Sequence, residues 1–372
     1  MGEAATAPPG RLAWRRFRRH RLAMVSAWVL VMIYLAAALC EFVAPYGTET
    51  RNVRAISAPP MTVRFIDQNG AFHLRPFVYG YEMTIDHDSW IRQYRESPDK
   101  RYPLYFFARG EPYRLWGLFE MDRHLVVARA PAGESGGEDG YLHLLGTDQL
   151  GRDLLSRILH GARTSLSIGV VGVILTLVLG VLFGGLAGYL GGMVDGAVQR
   201  SIEVLQSIPA LPLWMALSAA LPPAWSAVTV YFGVTIILSL IGWTTLARQV
   251  RGRFLALREE DFVVAARLLG ASQLRVVWRH MLPSFMSHTI TTATLAVPGM
   301  ILGETALSFL GIGLRPPVVS WGVLMQQAQN YQVIVLTPWL LYPGAFVVVT
   351  VIAFNLLGDG LRDAADPYGS VR

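Results

Sequence analysis

Charge is scarce in this sequence. Only 16% of its 372 residues are Asp, Glu, Lys or Arg, while 53% are hydrophobic. Soluble domains carry roughly a quarter charged residues, so this chain is short of the charge that coats a soluble surface. The scarcity is concentrated: residues 204–247 hold no charge at all. Lysine is nearly missing, with Lys100 the only one. A phosphate-binding P-loop needs Gly-Lys-Ser/Thr, because its lysine reaches the terminal phosphates. Lys100 is followed by Arg101, so no such nucleotide site is expected. Cysteine is limited to Cys40, which excludes an internal disulfide. No small residue directly precedes Cys40 in "AAALC", so it does not read as a lipid-modified processing site. The histidines show no ligand spacing such as H-E-x-x-H, so no metal site is expected. No catalytic constellation stands out either.

What the chain does have is long apolar runs flanked by arginine. The net charge is +6, and the basic residues sit at the ends of apolar segments. That placement fits the positive-inside rule of membrane proteins, and no nucleic-acid motif accompanies it. The expected fold class is an all-α polytopic membrane protein. Residues 1–21 read as a basic cytoplasmic N-terminus and 22–44 as a first, uncleaved transmembrane helix.

Residues 45–146 change character and read as a small β-rich extracytoplasmic insert between helices 1 and 2. "RFIDQNGAFHL" predicts two strands around an Asn-Gly turn. "YPLYFFARGEPYRLWGLF" predicts a further strand pair, and "APAGESGGEDG" a flexible loop. Residues 147–163 predict an amphipathic helix, either flat on the outer membrane surface or packed on the outer domain, with Thr147 or Asp148 as its cap. Arg152 and Asp153 fall on its polar side, where they either contact a binding protein or fix the helix.

Residues 164–358 predict helices 2–6. Gly180, Gly184 and Gly188, at four-residue spacing, mark a face where helix backbones pack closely. "GGMVDGAVQRSIEVLQ" reads as a polar crossing into helix 3, and the paired prolines of "LPPAW" break the following run into a hairpin of helices 3 and 4. Residues 284–312 predict helix 5 and 337–357 helix 6, with "RPPVVSWGVLMQQAQNYQ" between them as an external loop or re-entrant segment. Residues 359–372 read as a cytoplasmic tail. Glu304 lies within helix 5, and an ionisable residue there has two readings. It contacts cargo or a gate, or it makes a structural hydrogen bond to a neighbouring helix.

Between helices 4 and 5 lies a basic island at about 252–283, read as cytoplasmic. Glu259, Glu260 and Asp261 favour a helix start, Gly270 a bend, and Ser272 the cap of a second helix ending near Leu282-Pro283. Ala265 and Ala266 lower the steric profile for a partner surface. Arg267, Ala271 and His280 belong to the same segment.

"AARLLGASQLRVVWRHMLP" resembles the cytoplasmic EAA loop of ATP-binding-cassette importer permeases, through Ala265, Ala266, Gly270, Leu282 and Pro283. Val264 occupies the position of the family's glutamate. "LLGTDQLGRDLLSRILHGARTSL", "GETALSFLGIGLRPPVVSWG" and "FNLLGDGLRDAADP" extend the resemblance to the C-type permease subunit of dipeptide and oligopeptide importers. The resemblance implies six transmembrane helices of the type I ABC importer permease fold. It implies a homologous B-type permease subunit, two ABC ATPase subunits that hold the ATP and magnesium, and an extracytoplasmic peptide-binding protein. The chain itself would bind no cofactor and catalyse nothing, and it would sit in the bacterial inner membrane with both ends cytoplasmic. Two other readings stand beside this one: a secondary transporter working without ATP, and an ABC permease for another cargo such as nickel chelates.

Overall fold

The computed structural model describes residues 9–86, 92–129 and 140–365. The loop read over 130–140 lies, but for Gly140, outside the described residues, as do 1–8 and 366–372. In chain order, α1 (Pro9–Arg19), α2 (Arg21–Ala38) and the short α3 (Cys40–Val43) precede four strands. These are β1 (Arg64–Ile66), β2 (Phe72–Ile85), β3 (Arg92–Leu115) and β4 (Phe119–Ala128). Then follow α4 (Leu154–Leu190), α5 (Gly192–Ser207), α6 (Ala210–Ala219), α7 (Ala227–Leu257) and α8 (Asp261–Leu268). A second short helical stretch is built from α9 (Gln273–Arg275), a π-helical segment Val276–Met281 and α10 (Leu282–Ser284). The chain ends with α11 (Met286–Phe309), α12 (Trp321–Gln326), α13 (Tyr331–Leu336) and α14 (Tyr342–Ala365).

Among the described residues, five helices are long and apolar enough to cross a membrane: α2, α4, α7, most of α11, and α14 with the turn before it. A sixth span exists if α5 and α6, bent by 88°, count as one. The bend falls at Ile208-Pro209. Ile208 is extended, with φ −100° and ψ 131°, as a residue before proline prefers. The stretch 191–206, read as a polar crossing, is therefore mostly helical, and the chain breaks at Pro209 as well as at the prolines 222 and 223.

The chain divides into two compact units. One comprises 1–32, 165–315 and 347–372, and the other 33–164 and 316–346. In the first, the glycine face of α4 packs on α7. A Cβ at Gly188 would lie 2.7 Å from the Arg251 carbonyl oxygen and 2.6 Å from Phe254 Cβ, and one at Gly184 would collide with the Ala247 backbone. Backbone contact of this kind is how helices gain dispersion energy where lipid removes the hydrophobic drive. Asp195 of α5 and Arg251 of α7 add a two-pronged ion pair at 2.5 and 2.6 Å.

In the second unit the strands form one antiparallel sheet in the order β1-β2-β3-β4. The Asp67–Ala71 turn joins β1 to β2, and Asp67 accepts from the Asn69 and Ala71 amides. The expected second strand pair differs from what forms. Residues 102–115 continue a single strand, whose first half pairs with β2 and second half with β4. The "GEP" stretch is absorbed as a register shift between Arg109 and Tyr113, and the chain turns only at Trp116–Leu118. Met61, Val78, Tyr102, Leu104, Ala128 and Leu142 form the buried core beneath the sheet.

The separate interfacial helix expected at 147–163 does not form. The helix starts at Leu154 and runs unbroken to Leu190. Asp153 caps it, accepting from the Ser156 amide at 2.7 Å and the Ser156 hydroxyl at 2.6 Å. Arg152 and Asp153 are buried rather than spread on a polar outer face. Arg152 donates to Asp148 at 2.8 Å, Arg157 meets the same carboxylate at 2.5 Å, and His143 contacts Asp153 at 3.1 Å. Pairing with Asp148 and Asp153 makes the burial of these charges tolerable. The polar residues thus hold the helix start inside the unit.

Candidate functional site

The basic island folds as two short helices on a hydrophobic base. After α7, Glu259 and Glu260 form a turn, and Asp261 opens α8, where a carboxylate suits the helix dipole. Val263 and Ala266, three residues apart, face inward. Gly270 ends the helix at φ +79°. Its amide reaches the Arg267 carbonyl at 2.9 Å, and the Ala271 amide reaches that of Ala266 at 3.0 Å. These two bonds are a Schellman stop, which needs the left-handed conformation that glycine adopts without strain.

Ser272 caps the next helix, accepting from the Arg275 amide. Its middle winds as a π-helix, with the Leu282 amide bonded to the Val277 carbonyl. Pro283 follows, and a proline ring cannot sit under a regular i−4 carbonyl. The wider turn removes that clash.

Val263, Ala266, Val276, Met281, Leu282 and Phe285 form one cluster with Leu246, Val250 and Phe254 of α7. The Phe254 and Phe285 rings meet edge to face at 5.5 Å. Both short helices are therefore packed on α7, and the second leads through α10 into α11. Close-packed protein interiors transmit strain.

The residues singled out in the sequence are distributed unevenly here. Glu259, Glu260, Asp261, Ala265, Gly270 and Pro283 are exposed, while Ala271 and His280 are half-buried. Ala266 and Leu282 are buried, so of the alanine pair only Ala265 is open to a partner. That is a correction: opposite sides of the 3.6-residue repeat separate adjacent positions by about 100°. Arg267 lies over the Tyr189 ring at 5.1 Å, so its guanidinium already serves an internal contact. Val264 is exposed.

The exposed apolar side chains here were missed in the sequence. Leu268 and Leu269 are 84% and 88% exposed, and Trp278 is 63% exposed. Phe262 and Val264 add to the same exposed apolar set. The signal was present: with Val263 and Ala266 marking the inner face, Leu268 and Leu269 fall off it.

Glu304 lies elsewhere, fully buried in α11. It accepts from the Ser165 hydroxyl at 3.1 Å and the Ser308 hydroxyl at 2.8 Å. Ser308 in turn accepts from the Leu314 amide at 3.0 Å.

Comparison with known proteins bears on this geometry. Residues 180–368 match the family model "Binding-protein-dependent transport system inner membrane component". Residues 8–60 match the "N-terminal TM domain of oligopeptide transport permease C". A peptide transport system permease protein of Brucella suis is 41% identical over 230 residues, covering 61% of this chain and 74% of that protein. The oligopeptide transport system permease protein OppC of Bacillus subtilis is 38% identical over 226 residues, covering 60% and 72%. Among solved structures, the inward-facing MetNI methionine ABC transporter has a chain 19% identical, with a TM-score of 0.42, covering 56% of this chain and 95% of that one. That likeness is too slight to bear on the fold. The family match extends over half of the sequence and includes both short helices of the basic island. The chain belongs to the family of binding-protein-dependent transport system inner membrane components.

Proposed function

We infer that this permease subunit forms half of the translocation path of an ATP-driven peptide importer, and that residues 258–285 are where the motor engages it. The observation that carries the reading is the exposed apolar set Leu268, Leu269 and Trp278 on two short helices clamped to α7 and leading into α11. Two ATPase subunits dock on this element and on its counterpart in a homologous B-type permease. The Schellman stop at Gly270 keeps the two helices at a fixed angle, so a push on Leu268 and Leu269 moves α7 and α11 together. Glu259, Glu260 and Asp261 supply charge at the rim of the contact.

Peptide as cargo rests on the names of the relatives, delivered by an extracytoplasmic binding protein. The fold is of the type I importer class with six spans, α5 and α6 acting as one broken span. Both chain ends face the cytoplasm. Residues 45–146 form an extracytoplasmic insert, 22–44 the first span together with its short exit helix α3, and 164–358 the remaining transmembrane domain. ATP and magnesium are held by the partner ATPases, and this chain needs no cofactor. Glu304 serves structure: its carboxylate holds two hydroxyls, one of which fixes the chain after α11.

The reading is tested by co-purifying the ATPase subunits with a Leu268→Asp, Leu269→Asp double variant. Loss of the ATPases from an otherwise folded, membrane-inserted permease is expected. Full retention with normal uptake would overturn the docking assignment.

A further inference from the structure

The β3–β4 hairpin ends in an uncharged apolar tip. Strand pairing closes at Leu115 opposite Phe119, and three residues, Trp116, Gly117 and Leu118, make the turn. Trp116, Leu118 and Phe119 are all exposed, Leu118 by 75%. Trp116 stands at φ +53°, a conformation that a bulky side chain rarely adopts. The first charges behind the tip, Arg114 and Glu120, are paired with each other at 2.6 Å. Exposed tips of soluble hairpins are polar, because turn residues face water. This one is polar nowhere between Leu115 and Phe119.

The tip's position relative to the first span explains that composition. The Trp116 indole N–H donates to the Ala38 carbonyl at 2.7 Å, at the last residue of α2. The hairpin is also held further along the same segment: His124 Nδ1 lies 2.6 Å from the Ala44 carbonyl oxygen, and the Phe107 ring meets Phe42 at 6.0 Å. From Ala44 to Ala38 is six residues, about 9 Å at helical rise, and α2 is the apolar span itself. The hairpin therefore lies along α3 with its tip directed toward the membrane.

The level of the bilayer surface is marked independently. Arg163 donates to Glu41 through two bonds of 2.6 Å and to the Ala38 carbonyl at 2.9 Å. A charged pair at the end of a span belongs at the headgroup level, where it stays solvated. The tip lies at that level, and tryptophan is enriched there because its ring is apolar while its N–H needs a polar partner.

We propose that the β3–β4 hairpin is a membrane anchor, whose Trp116, Leu118 and Phe119 insert into the headgroup–acyl boundary of the leaflet at the Ala38 end of α2. The occupant of this apolar tip is lipid. The insert is thereby fixed to the bilayer at its far end as well as through α3, and the Arg114–Glu120 pair lies in the headgroup layer above the buried residues. Membrane association of this kind scales with the apolar area inserted.

The test places nitroxide labels on Leu118→Cys and, separately, Phe119→Cys, with Leu74→Cys on β2 as an exposed reference. Both tip positions are exposed, so labelling leaves the core intact, and the native Cys40 is buried. The full transport complex is reconstituted in phosphatidylethanolamine–phosphatidylglycerol vesicles. Collision with oxygen, which partitions into lipid, is compared with collision with a water-soluble nickel chelate. The tip labels are expected to show an oxygen-to-nickel accessibility ratio several-fold above that of the Leu74 position. A ratio equal to the Leu74 reference means that the tip faces water. Shielding from both reagents means that a protein surface covers it. Either result overturns the proposal.

Discussion

Ser308 hydrogen-bonds Glu304 with its hydroxyl hydrogen and receives the Leu314 amide on its oxygen, at 2.8 and 3.0 Å. One side chain thus connects the buried carboxylate of α11 to the chain that leaves the helix. Ser165 donates to the other carboxylate oxygen at 3.1 Å.

This arrangement separates two substitutions. Glu304→Gln keeps an acceptor oxygen and most of the shape, whereas Glu304→Leu leaves hydroxyls buried without that acceptor. An unsatisfied buried polar group costs about 1–3 kcal/mol. Glu304→Leu is expected to lower the thermal midpoint in detergent clearly, and Glu304→Gln to retain most uptake with unchanged cargo preference. A Gln variant of normal stability with altered peptide preference would show that the carboxylate meets cargo instead.

The two short helices between α7 and α11 make a prediction in pairs. Ala266 is buried against the α7 cluster and Ala265 is not. Ala266→Arg is expected to destabilise the two short helices, since an uncompensated charge would be buried. Ala265→Arg is expected to leave the permease folded and weaken only retention of the ATPases. Limited proteolysis between α7 and α11, read beside co-purification, distinguishes the outcomes. Equal protease resistance in both variants would contradict the packing.

Gly270 holds φ +79° at the stop between the helices. A β-branched residue there costs roughly 1–2 kcal/mol in backbone strain. Gly270→Val is expected to lower the coupling ratio, transported peptide per ATP hydrolysed, more than it lowers the hydrolysis itself. An unchanged ratio would mean that the fixed angle is not what transmits the motion.

Glycine spacing on α4 was read from the sequence as a packing face. Gly180, Gly184 and Gly188 indeed lie against α7, because a repeat of four places them on one side of a helix. The bend at Gly270 and the cap at Ser272 were also legible, since turn and cap residues act locally. The start of α4 was less legible. Arg152, Asp153 and Arg157 alternate with leucines as on a surface helix, yet they are buried because Asp148, Ser156 and His143 satisfy them. Their partners His143 and Asp148 precede the helix, outside the periodic pattern. Arg251 and Asp195, 56 residues apart, were equally hidden. Periodicity reports faces, whereas such pairing is a tertiary fact.

Overpacking is the expected result of Gly184→Val. The added side chain would enter the Ala247 backbone, and overpacked cores lose about 1–3 kcal/mol. The variant is expected to show reduced yield of folded permease in the membrane fraction and a lowered thermal midpoint. Wild-type stability would contradict the backbone contact between α4 and α7.

This chain is expected to move peptide only when ATPase subunits drive it through residues 258–285. The direct measurement is uptake of a labelled oligopeptide into proteoliposomes holding this chain, its homologous permease and the ATPases, with binding protein and ATP supplied. Uptake is expected with the full set, and to be lost when ATP is omitted or when Leu268 and Leu269 are both replaced by aspartate. Concentrative uptake by this chain alone, without ATP, would contradict ATPase-driven transport.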